Sequence, residues 1–117
     1  MLPKVSIYIL NYNYGKYISK AIESCVNQSF KNIEIIVIDD GSKDNSKKII
    51  NLFTRKYPFI ISRFNKNQGL IKSCNAALKI ARGKYILRLD ADDWLDRNAI
   101  EIMYNKMEKN KNIELLL

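Results

Sequence analysis

Five of the twelve acidic residues fall in two short stretches: Asp39 and Asp40 in IIVIDDGS, and Asp90, Asp92 and Asp93 in LRLDADDW. Carboxylates this close repel one another unless a cation neutralises them, and hard divalent ions prefer oxygen ligands. A Mg2+ or Mn2+ ion held by one or two carboxylates keeps its other positions for water and phosphate oxygens. The second stretch therefore reads as half of a site whose other half is a metal-bound diphosphate. Asp40 suits a different task, accepting a hydrogen bond from a base N–H or a ribose hydroxyl. Each stretch alone has a plainer explanation. Asp-Gly after an apolar run is ordinary turn chemistry, with Gly41 supplying a positive φ. Asp92 or Asp93 could simply cap a following helix. What favours chemistry is that both stretches directly follow an apolar run, so that they occupy equivalent places in the chain.

Those runs are the elements that must position the carboxylates. Residues 5–10, 33–38, 59–64 and 85–89 are short and rich in β-branched residues, and residues 113–117 (IELLL) begin a fifth run. Such near-continuous apolar strands suit a parallel sheet covered on both faces. Between them lie helical periods. Ile18, Ala21, Ile22, Cys25 and Val26 form one stripe. Ile49, Ile50, Phe53 and Tyr57 form the next, preceded by the cap-rich SKDNS and stopped by Pro58. Leu70, Cys74, Ala77, Leu78 and Ala81 form a third, with Gly83 as the expected C′ residue. A fourth runs over residues 97–109 through Ile100, Tyr104 and Met107. The alternation predicts an α/β fold, an open, mostly parallel sheet with helices on both faces and right-handed crossovers. In such sheets ligands bind at the carboxyl ends of the strands, where the strand order reverses. With order 3-2-1-4, the two acidic stretches flank the first strand and face one crevice.

Composition narrows the chemistry. Twenty basic against twelve acidic residues leave a net charge of +8, but the lysines are scattered, as expected of a solvated surface. No nucleic-acid-binding motif accompanies the charge. The absence of histidine excludes a histidine base, a Ser-His-Asp triad and a histidine zinc site. Cys25 and Cys74 fall on apolar helix stripes and read as buried small hydrophobes rather than a disulfide. No apolar run is long enough to span a bilayer and no signal-peptide cleavage region follows MLPKVSIYIL, so the expected compartment is the cytoplasm, with attachment to the inner membrane surface left open. A dinucleotide-binding module would need G-x-G-x-x-G after the first strand, where NYNYGKY has one glycine. A receiver-type phosphorylation pocket would need acids where this chain has Leu10-Asn11 and Phe64-Asn65. A non-catalytic nucleotide- or Mg2+-binding α/β module remains the alternative to an enzyme.

The segments VSIYILNYN, SCVNQSF, IEIIVIDDGSKDNS, NQGL and ARGKYILRLDADDW stand in the order and spacing of the amino-terminal half of GT-A glycosyltransferases of family 2, and the resemblance covers nearly the whole chain. It implies a Rossmann-like GT-A fold over residues 1–117. The implied enzyme transfers a sugar from a nucleoside diphosphate sugar, most commonly a UDP-sugar, to a saccharide or lipid-linked acceptor with the help of Mn2+ or Mg2+. Many bacterial members build surface polysaccharide. Carried over position by position, Leu10, Asn11 and Tyr12 would border the base, and Asp40 would contact the nucleoside with Asp39 beside it. Asp90 would lie near the ribose or the metal, Asp92 would ligate the ion, and Asp93 is a further candidate ligand.

Two departures from the resemblance matter. Family members often carry an arginine before the asparagine of the third helix, able to approach the diphosphate; here Cys74 precedes Asn75, so that either Lys72 substitutes or the phosphate contact is weaker. The family's catalytic base belongs to the carboxyl-terminal half, beyond Leu117. The chain is accordingly expected to be the donor-binding part of a longer domain, inactive alone and prone to self-association through the sheet edge next to the Asp-Ala-Asp strand, where IELLL begins the next element.

Overall fold

The computed structural model describes residues 2–110, and the fifth strand expected over residues 113–117 lies outside them. The elements are β1 (Val5–Asn11), α1 (Ile18–Val26), β2 (Ile33–Asp39), α2 (Ser46–Lys56), β3 (Ile60–Phe64), α3 (Leu70–Ile80), β4 (Tyr85–Asp90) and α4 (Ala99–Lys109). All four strands run parallel in the order β3-β2-β1-β4. The order and class expected from the alternation of strand and helix are therefore present. Each strand ends within one residue of its expected bounds, and α4 starts two residues later than its pattern suggested.

Strand β2 (IEIIVID) is buried at every position, because it lies inside the sheet with helices on both faces. Its alternate side chains separate into two cores. Ile33, Ile35 and Val37 join Val5, Ile7 and Ile9 of β1 beneath the stripe of α1 (Ile18, Ala21, Ile22, Cys25), with Ile50 of α2 and Ile100 of α4 in the same cluster. Ile36 and Ile38 point the other way, into a smaller cluster with Ala77 of α3, flanked by Tyr8, Leu10 and Ile80. Cys25 is fully buried, and burial pushes its thiol up to about 12. Cys74 is half-buried, and neither cysteine is in a disulfide.

Glu34 is the charged residue in the middle of β2, and its neighbours explain how it is tolerated. Its carboxylate accepts from Ser6 Oγ at 2.6 Å, from the Arg82 N–H at 2.6 Å and from Arg82 Nε at 3.1 Å, with Arg82 Nη2 at 3.0 Å. Burial alone would raise its pKa, but the hydrogen bonds from Ser6 and Arg82 outweigh that and hold it below the ordinary value.

One expectation needs correction. Gly83 does not close α3 in a left-handed conformation. The residue after the helix, Ala81, is extended (φ −60°, ψ 130°), and Gly83 is absent from the positive-φ glycines, which are Gly41 and Gly69. Gly83 is required instead by close approach, since a Cβ there would sit 2.5 Å from the Ser6 backbone nitrogen. Helices lie on both faces as expected, and among the described residues Ile86, Arg88 and Asp90 of β4 alternate as exposed positions on the α3 face.

Candidate functional site

The register brings the two acidic stretches level with each other. Asn11 pairs with Asp39 on one side of β1, and Leu10 pairs with Asp90 on the other. At this carboxyl edge a cleft of about 530 Å³ opens, within the range of small-molecule sites. Its walls include Leu10, Asn11, Tyr12, Asp40, Asp90 and Asp92, six of the nine residues singled out from the sequence. Tyr14, Asn67, Gly69, Leu70, Ser73, Arg88 and Ala91 complete them. Asp39, Asp93 and Lys72 do not line it.

The stretch after β2 is turned into the fold. Asp39 is 3% exposed. Its Oδ1 accepts from Asn11 Nδ2 at 2.8 Å and Ser42 Oγ at 2.6 Å, and its Oδ2 accepts from the Ser42 N–H at 3.0 Å. These are the bonds of a capped turn around Gly41, whose φ of 80° is the positive value expected of it. Asp40 performs a second anchoring. Its Oδ1 accepts from the Gln68 N–H at 2.7 Å and its Oδ2 from the Gly69 N–H at 3.0 Å, fixing the loop that opens α3. The amino end of a helix is a favourable place for that negative charge. Unlike Asp39, Asp40 also forms part of the cleft wall.

The stretch after β4 is turned outward. Asp90 Oδ1 lies 3.3 Å from both Nε and Nη2 of Arg88, in a pair whose side chains are 61% and 40% exposed respectively. Asp92 is exposed and has no hydrogen bond or ion pair among the described residues. Asp93 accepts from the N–H of Trp94 at 2.9 Å, while its own N–H donates to the Asp90 carbonyl at 3.0 Å. Neither Asp92 nor Asp93 caps α4, which begins at Ala99 after Asn98. Among the described residues no three acidic, cysteine or histidine side chains gather closely enough to enclose a metal ion. Asp93 is thus occupied locally, leaving Asp90 and Asp92 as the carboxylates of this stretch that line the cleft.

Several contributors carry no obvious signal in the sequence. The turn bearing Asp92 is held against α1 by Gln28, which is fully buried. Its Nε2 donates to the carbonyls of Ser24 at 3.0 Å and Asp96 at 2.7 Å, and its Oε1 accepts from the Ile100 N–H at 3.0 Å. Ser24 Oγ adds a bond from the Leu95 N–H at 3.0 Å. Both residues stand in SCVNQSF, where a buried glutamine just after an apolar stripe was the available clue. Buried polar atoms nearly always have partners. Yet Asn11 Oδ1 and Ser73 Oγ, buried atoms of residues at the cleft, have none among the described residues. Arg88 was also overlooked: of the lining residues it is the one with a cationic side chain, where Lys72 had been expected.

The sequence profile of glycosyl transferase family 2 matches residues 6–115. Chondroitin synthase of Escherichia coli is 36% identical over 112 residues, which are 96% of this chain and 16% of that protein. Cholesterol galactosyltransferase of Borreliella burgdorferi is 37% identical over 109 residues, 93% of this chain and 30% of the relative. Among solved structures, S. aureus TarS 1-349 in complex with UDP-GlcNAc superposes with a TM-score of 0.84 at 27% identity, covering 92% of this chain and 32% of that one. The chain thus spans a third or less of the length of these relatives.

Proposed function

The chain belongs to glycosyl transferase family 2, and we propose that it forms the donor-binding part of an enzyme that transfers a sugar from a nucleoside diphosphate sugar to a saccharide or lipid-linked acceptor. The observation that carries this reading is the convergence of Asp40, Asp90 and Asp92 on one cleft at the carboxyl edge of the sheet. Asp92, exposed and without a partner among the described residues, is free to meet a ligand there. Leu10, Asn11 and Tyr12 border the nucleoside in this reading, and Asp40 contacts the nucleoside with the lone pairs left over from its bonds to the α3 loop. Asp39 acts behind it, orienting Asn11. The UDP-GlcNAc complex of TarS supports a UDP-sugar as the donor.

The donor set fits a divalent cation. Asp90 and Asp92 supply two oxygen ligands on the cleft side, and Mg2+ or Mn2+ accepts one or two carboxylates with water and phosphate oxygens completing its shell. Asp93, with one oxygen on the Trp94 N–H, is the auxiliary ligand. When bound, such an ion stabilises the negative charge that develops on a departing nucleoside diphosphate. The chain's own part is to hold the nucleoside at β1 and β2 and to present Asp90 and Asp92 at β4. We place the protein in the cytoplasm at the inner membrane surface, supported by its +8 charge, which favours anionic headgroups. No helix among the described residues is long and apolar enough to cross a membrane. Synthesis of bacterial surface polysaccharide is the role in keeping with the chondroitin synthase relative.

Calorimetric titration with UDP, with and without Mn2+, tests the reading. Trp94, the single tryptophan, lies two residues from Asp92 and offers a parallel fluorescence signal. Binding should strengthen with Mn2+, and Asp92→Ala should remove that strengthening. UDP binding that ignores both the ion and the substitution would refute the assignment of Asp92.

A further inference from the structure

Arg88 is a cation set among carboxylates in a cleft built for something else. Asp40, Asp90 and Asp92 share the wall with it, and no second cationic side chain does. Arg88 and Asp90 lie two apart on β4, so their side chains leave the same face of the strand. Their contact is a loose one. Nε and Nη2 both approach the single oxygen Oδ1 at 3.3 Å, rather than forming the two parallel bonds of a fork on a carboxylate. Both side chains are well exposed, and exposed pairs of this kind hold weakly. The remaining nitrogen, Nη1, points to Cys74 Sγ at 4.0 Å, a poor acceptor.

We infer that Arg88 is the residue that grips the diphosphate of the bound nucleotide, exchanging Asp90 for phosphate oxygens as the ligand enters. This inference rests on the functional reading above. A planar guanidinium matches two phosphate oxygens where it now meets one carboxylate oxygen. The exchange sacrifices little, because the existing pair is weak, and it frees Asp90 to face a cation. Lys72, exposed on α3 and outside the cleft, takes no part.

The test is calorimetry of the chain with UDP, GDP and the matching nucleosides uridine and guanosine, each with and without Mg2+, on wild type, Arg88→Gln and Arg88→Lys. Diphosphate affinity should fall roughly tenfold or more in Arg88→Gln, as expected for a lost bond between charged groups. Nucleoside affinity should stay unchanged, and Arg88→Lys should recover part of the loss. Arg88→Gln that binds the diphosphate as wild type does, or that loses nucleoside and diphosphate alike, overturns the inference. If Asp92→Ala still abolishes the metal-linked strengthening in the same assay, the functional reading survives that failure. A wild-type chain that binds neither diphosphate overturns both.

Discussion

Asp39 and Asp92 belong to stretches of nearly the same composition, each at the end of a parallel strand, yet the fold treats them in opposite ways. The carboxylate of Asp39 is buried and accepts three hydrogen bonds from Asn11 and Ser42. That of Asp92 is exposed and accepts none among the described residues. The strand positions explain the contrast. β2 lies inside the sheet, with loops from both neighbouring strands folding over its end, whereas β4 is the outer strand of the described sheet and its turn is fastened, among the described residues, from the α1 side by Ser24, Gln28 and Ser29. A carboxylate among backbone donors maintains the structure; one kept away from them is available to a ligand.

The largest effect that could break this contrast is that of Asp39→Ala. Removing three charge-assisted bonds and leaving the buried Asn11 amide only its longer 3.3 Å bond to Ser42 Oγ should lower stability by about 3 kcal/mol or more, read by chemical denaturation. A loss under about 1 kcal/mol would mean that water readily replaces Asp39, and that inward orientation is not what distinguishes the two stretches. Asp40→Asn comes next, because Asp40 sits on both sides of the contrast. The new amide must set an NH2 group against one of two backbone N–H donors, so stability should fall by about 1.5–3 kcal/mol and UDP affinity should fall with it. Normal UDP binding by a destabilised protein would leave Asp40 with the anchoring role alone.

Acid tests whether inward-bonded carboxylates support the fold in general. Glu34 is held below its ordinary value by its bonds to Ser6 and Arg82 despite burial. Glu108 is held down to about 2 by Lys84, then by Tyr85 and Tyr104, on the rim between α4 and β4. A carboxylate depressed in the folded state stabilises it above the unfolded pKa, near 4.5 for Glu, and loses that contribution as pH falls toward the folded value. The melting temperature should therefore decline between about pH 4.5 and pH 2, with Glu34→Gln flattening the decline; the same slope in that variant would exclude Glu34 as a source. The smallest expected effect sharpens the contrast most. Asp92→Ala should alter stability by no more than about 0.5 kcal/mol, since it removes no contact of the fold. A larger loss would show that Asp92 has a structural task after all.

How much of this was legible in the sequence depended on whether the relevant force is periodic. The buried run of β2 and the stripe of α1 repeat at the spacing of their elements, so class, order and strand ends could be read directly. The same runs located Asp39, Asp40, Asp90 and Asp92 at one edge. What each carboxylate does there was not legible, because it depends on which backbone N–H groups a distant loop delivers: Gln68 and Gly69 to Asp40, Ser42 to Asp39. Gly83 failed for a related reason. A glycine after a helix signals a left-handed cap, and nothing local reveals that Ser6, 77 positions earlier, needs the space. Lys72 was singled out because it stands on the expected helix, whereas Arg88, which lines the cleft from β4, carried no such signal.

Strand β1 separates the two stretches, and adjacent strands in a sheet lie about 4.8 Å apart. The ends of β2 and β4 are consequently two spacings, or about 10 Å, from each other. Backbone hydrogen bonding sets that interval, and side-chain substitutions leave it unchanged. The sheet acts as a length gauge: a molecule that reaches Asp40 with one end and Asp92 with the other has to be extended by about that amount, and shorter ones can engage one stretch at a time.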